Sequence, residues 1–201
     1  MSSQLFILAI MLAFVSWFVV IIEMIAIHSF SRLFFGFGIP VYKTTLKIDE
    51  YDWFKRPIEV VKKDEGKFKF TEDGYIYFLS QFFFGKFFRT TTPFPFKATA
   101  KITVNGRVEI KARMPLGPTL FLFCWVVGWT AGTVGMSIES GNYGAMLFGL
   151  IGWGFAALMV RISYPVEKKR MDLMVSELKE IITTQSNTSY ENPSSISNLN
   201  R

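Results

Sequence analysis

The sequence predicts an integral membrane α + β protein: three transmembrane helices, a small antiparallel β sandwich or barrel inserted between the first and second, and a C-terminal amphipathic helix. Three observations predict it. Residues 5–22, 116–138 and 140–160 are apolar and carry no charge, and with their flanks each reaches the roughly 20 residues that span a bilayer's hydrocarbon. Between Ile39 and Pro115 the apolar period changes to two, and after Pro165 it returns to that of a helix. The resulting division is 4–31, 32–115, 116–138, 144–164, 166–184 and a Ser/Asn-rich tail, 185–201, expected to be disordered.

The first apolar stretch reads as a retained helix and not a signal peptide, because Met1-Ser2-Ser3-Gln4 has no basic residue and the run outlasts a signal core. Half of the 201 residues are hydrophobic and the net charge is +6. Arg32 to Pro115 holds sixteen Lys/Arg against nine Asp/Glu, and the third apolar stretch exits into Lys168-Lys169-Arg170. The turn Glu139–Tyr143 holds no cation. Cations flanking membrane helices stay in the cytoplasm, so the N-terminus is expected outside, and the β domain and C-terminus inside. A basic domain beside an anionic leaflet makes the lipid bilayer the expected partner and nucleic acid an unneeded one.

In the β domain, Asn105-Gly106 between alternating arms is a hairpin signal. Ala100, Ile102 and Val104 share a face with Val108, Ile110 and Ala112, while Lys101, Arg107, Glu109 and Lys111 take the solvent side. A second hairpin turns at Asp73-Gly74, and 41–48 and 58–62 are weaker strands. Five to seven short strands suit a small sandwich or barrel, a pleckstrin-homology-like barrel among the candidates, though no motif selects it. The last strand runs through Met114-Pro115 straight into the second membrane helix.

Gly128, Gly132 and Gly135 form one small-residue stripe, and Ala145, Gly149, Gly152 and Ala156 another, which predicts a close antiparallel helix pair. Glu23 and Arg161 each lie within an apolar span near its cytoplasmic end, and an ion pair between them is expected to tie the first helix to the third. His28, the only histidine, is five residues from Glu23, on a different face of the helix. Cys124 is the only cysteine and reads as a packing residue. With no second histidine, no cysteine cluster and no nucleophile or phosphate-loop motif, the sequence names no catalytic residue, metal site or cofactor.

Met171, Met174, Val175, Leu178, Ile181 and Ile182 recur at helical spacing above a mixed-charge outer face, which favours protein contact, within the chain or between subunits, over lipid. Residues 81–97 hold seven phenylalanines. Phe82, Phe83, Phe84, Phe87 and Phe88, with Lys86 and Arg89, fit neither a clean strand face nor a clean helix face. Together with Phe34, Phe35 and Phe37 they are expected to meet the membrane interface; an aromatic docking surface for a protein partner is the alternative. The preferred reading is a non-catalytic docking, assembly or sensing module at the membrane. An oligomeric pore or transporter subunit and a lipid-acting interfacial enzyme using His28 are the alternatives.

Overall fold

The computed structural model describes residues 2–47, 60–80, 92, 94–103, 106–141 and 143–191. The interfacial expectation for Phe82, Phe83, Phe84, Lys86, Phe87, Phe88 and Arg89 falls outside the described residues. The chain order is α1 (Ser2–His28), α2 (Arg32–Gly36), β1 (Ile39–Lys47), β2 (Val60–Lys62), β3 (Gly66–Phe70), β4 (Tyr75–Ser80), β5 (Lys97–Thr103), β6 (Arg107–Met114), α3 (Leu116–Ser140) and α4 (Gly144–Glu191). These residues fall into two compact units, one of 1–39, 90–95 and 114–167 and one of 40–89, 96–113 and 168–201.

The first unit is helical. Two stretches, Leu116–Ser140 and Gly144–Thr184, are long and apolar enough to cross a membrane; within α1 the apolar segment Phe14–His28 is shorter. At the end of α1 the chain turns through Phe30, whose φ of 55° is left-handed although it is not glycine. Ser31 N–H reaches back to Ala26 O at 3.0 Å and Phe30 N–H to Ile27 O at 3.0 Å, the paired bonds that close a helix C-terminus. The left-handed turn costs about 1–2 kcal/mol for a side chain, and burial of Phe30, stacked on Phe35 at 5.9 Å, offsets it.

The second unit is one six-stranded antiparallel sheet in the order β1-β6-β5-β4-β3-β2, backed by the C-terminal part of α4. The described strands therefore make neither a two-sheet sandwich nor a closed barrel; a helix supplies the second layer. The period of two sorts the residues. Phe68 pairs with Phe78, Phe70 with Ile76, Ala100 with Ile110 and Ile102 with Val108. All but half-buried Ile102 are fully or nearly fully buried. Against this unit's core lies the apolar stripe of α4: Met171, Met174, Leu178 and Ile182 are fully buried, and Met174 packs so close to Gly66 that a Cβ there would meet its sulfur at 3.0 Å.

The β5–β6 hairpin carries a correction. Thr103 pairs with Arg107, leaving three residues in the turn where an Asn-Gly turn alone would leave two. A two-residue turn would set Ile102 opposite Glu109, and a slip of one residue turns a strand's apolar set away from its neighbour's. The apolar pattern decides the register. The β3–β4 turn is as read: Gly74 has a φ of 84°, and Thr71 Oγ1 both donates to Tyr75 O at 2.7 Å and accepts from Tyr75 N–H at 3.2 Å.

α4 is also continuous where two helices were expected. It runs through Pro165 to Glu191, so the tail expected to be disordered from residue 185 begins as helix. Pro165 removes the N–H that would have met the Arg161 carbonyl and its ring crowds that carbonyl, a local cost of about 3 kcal/mol that the 48-residue helix carries.

Candidate functional site

Two arrangements of polar groups stand out, one in each unit. In the helical unit, Glu23 is 2% exposed. Its Oε1 accepts from Leu116 N–H at 3.2 Å and its Oε2 from Gly117 N–H. These are the first backbone donors of α3, which no earlier turn can satisfy, and the next residue, Pro118, has none. A carboxylate there also meets the positive end of the helix dipole. Gly117 permits the approach: a Cβ on it would lie 2.8 Å from the Val20 Cα. The expected tie ran from α1 to Arg161 on α4; the tie found runs from α1 to the N-terminus of α3, and Arg161 is exposed.

Small residues of α4 admit side chains of α3. Gly149 sits against Thr133 and Gly152 against the Trp129 indole, so a Cβ at either would strike α3. Trp129 Nε1 donates to Phe148 O at 3.3 Å and Trp153 Nε1 to Thr130 Oγ1 at 2.9 Å. Thr133 and Trp129 of α3 thus fill the space that Gly149 and Gly152 of α4 leave open. Gly135 and Ala156 are buried; Gly128, Gly132 and Ala145 are half-buried. Of the aromatic residues assigned to the membrane interface, Phe35 is 1% exposed and packs on Phe30, so it faces protein. Phe34 is half-buried and Phe37 exposed. His28 Nδ1 lies 2.8 Å from the Met24 carbonyl of its own helix, a local use of the ring.

The second arrangement is the sheet face opposite the core. Alternation puts Lys67 and Lys69 of β3, Lys97 and Lys101 of β5, and Arg107, Lys111 and Arg113 of β6 on this one side, across from Tyr75, Tyr77 and Leu79 of β4. Val60 and Lys62 of β2 join them through their pairing with Lys69 and Lys67. On β1, Tyr42 turns to the helix side, donating to Asp172 Oδ1 at 2.8 Å, so Lys43 and Lys47 belong to the basic side. Lys43 lies 3.9 Å from Glu109 and Lys111 3.4 Å from it, and Glu109 is the acid on this face among the described residues. Exposed pairs of this kind are worth about 0–1 kcal/mol and leave the cations available.

Exposure on this face is graded. Lys97 is 1% exposed, and Tyr77 and Leu79 are buried. Lys43, Lys47, Lys101, Arg107 and Lys111 are exposed, with Lys101 Nζ 5.6 Å above the Tyr75 ring. The sequence showed these lysines and arginines one strand at a time; the sheet order collects them.

Around α4, Glu177 accepts from Glu65 N–H at 2.9 Å, and Lys63 meets Glu180 at 3.0 Å. Burial, with the neighbouring Glu65 and Asp64 charges, raises the Glu177 carboxyl above its ordinary range. Burial and the bond to Asp172 raise the Tyr42 phenol likewise. Among the described residues no group of three or more His, Cys, Asp or Glu is placed to hold a metal ion. No protein-family model, curated protein or solved structure matches the chain.

Proposed function

We propose that the chain is a multi-pass membrane protein with three spans, and that its sheet-and-helix unit is a non-catalytic docking or sensing module held at the cytoplasmic surface. The observation that carries this reading is where the apolar side chains of the helices point. Phe14, Ile25, Leu120, Phe123, Leu147, Leu150, Ile151 and Leu158 are all exposed, and Ile138 is 75% so. A core helix of a water-soluble protein buries such residues, because exposing them forfeits about 1.5–3 kcal/mol each. In hydrocarbon the same exposure is favourable.

Polar groups on these helices fit the same environment. Thr119, Thr130, Thr133 and Ser137 return their hydroxyls to carbonyls one turn back, at 2.8 to 2.9 Å. A groove of about 690 Å³ along α3, lined by Leu122, Val126, Ala131, Val134 and Trp153, therefore presents apolar surface despite its threonines. Pro115 alone separates β6 from α3 in the chain. Alkaline carbonate extraction of membranes tests the reading: the full chain is expected in the pellet. Release into the supernatant contradicts it.

A further inference from the structure

We propose that the basic sheet face of the second unit is a docking surface for the anionic phosphates of a phospholipid bilayer. The proposal rests on the membrane reading above and adds the site and its ligand chemistry. Lys43, Lys47, Lys101, Arg107 and Lys111 are exposed on one side of the sheet, and Glu109 offsets one of their charges. β1, β6 and β5, which carry these cations, are hydrogen-bonded neighbours in the sheet, so the cations stand on a surface fixed by backbone bonds. Such a surface meets many phosphates at once, each cation adding to the attraction of an anionic leaflet.

Two observations favour a bilayer over a nucleic acid. Single strands are held by bases stacked on exposed aromatic rings, whereas on this face Tyr77 is buried and Tyr75 lies half-buried beneath Lys101. The chain also tethers the face. Arg113 is three residues from Leu116, the first residue of α3, and three residues reach at most about 11 Å. If α3 spans the bilayer, this end of the sheet is held next to the headgroups, and the charge excess has an anionic partner within reach.

The test uses the full chain in nanodiscs of phosphatidylcholine, with and without phosphatidylglycerol. Lysines are acylated with a water-soluble reagent and read by mass spectrometry. Lys43, Lys101 and Lys111 are expected to react about fivefold more slowly in the anionic discs, an effect that high salt reverses. Lys179, exposed on α4, serves as the internal standard and is expected to react equally in both. In the double variant Lys101→Glu/Lys111→Glu, with its circular dichroism unchanged, the protection of Lys43 is expected to be lost.

Equal reactivity of the three lysines in both kinds of disc overturns the proposal. So does protection by a single-stranded RNA oligonucleotide without protection by lipid, which assigns the face to nucleic acid. Failure of the membrane reading is seen separately, as a chain that carbonate releases and that does not enter discs. The same footprint with phosphatidylglycerol vesicles then still decides what the face binds.

Discussion

Replacing Glu23 with alanine is expected to lower the stability of the helical unit by about 2–4 kcal/mol, because the N–H groups of Leu116 and Gly117 lose their acceptors in a buried place. Water cannot substitute. Glu23 is 2% exposed, and Gly117 is pressed against the Val20 backbone. Pro118 offers no donor that could shift the hydrogen bonding by a turn. Glu23→Gln keeps one good acceptor and loses the charge that complements the helix dipole, so about half the effect is expected. Thermal unfolding of the purified protein in detergent reads both. Ile25→Ala, at an exposed position of the same helix, is the control and is expected to stay within about 0.5 kcal/mol. A Glu23→Ala protein that unfolds at the wild-type temperature contradicts the capping role.

Leu178→Asp is expected to have the larger effect, unfolding the sheet unit outright. Leu178 is fully buried, in the same helical stripe as Met171, Met174 and Ile182. Truncation of a buried leucine costs about 2–5 kcal/mol. A carboxylate at that place adds an unpaired buried charge. The apolar residues of the core face, Phe68, Phe70, Ile76, Phe78 and Ile110, share this layer, so opening it at Leu178 exposes them together. Limited proteolysis of the full chain in detergent gives the readout: wild type is expected to resist cleavage within β3, β4 and β6, and Leu178→Asp to be cut there. Leu173→Asp, on the exposed side of the same helix, is expected to behave as wild type. Cleavage of both variants alike would mean that the helix is fragile in general and not that this stripe seals the sheet.

What could be read from the sequence follows from which interactions leave a trace in side-chain pattern. Alternation at Ala98, Ala100 and Ile102 against Val108, Ile110 and Ala112 marks the buried face before any pairing is known, and it outweighs the local preference of Asn105-Gly106 for a shorter turn. The helical period of Met171 to Ile182 marks an apolar stripe but not its partner, which is set by which other face lacks a cover. The partner of Glu23 was not legible, because backbone N–H groups have no letter in the sequence; Gly117-Pro118 at the start of an apolar helix is the faint signal. Phe35 reads as interfacial because its Phe-Phe-Gly run follows an apolar span; the left-handed Phe30 stacked on it is a conformation that a sequence assigns to glycine. The basic face needed the strand order itself, since Lys43 and Lys111 are far apart in the chain.

If the apolar helices cross a bilayer, the sheet unit is left on one side of it. Single cysteines in a Cys124→Ser background, labelled in intact cells with an impermeant maleimide, test it most directly. Gln4→Cys and Tyr143→Cys are placed before α1 crosses and in the exposed turn between α3 and α4. Arg107→Cys is on the sheet and Leu173→Cys on the exposed side of the C-terminal helix. The first two are expected to label in intact cells and the last two only after permeabilisation. Labelling of Tyr143→Cys and Arg107→Cys from the same side would show that α3 does not cross a bilayer.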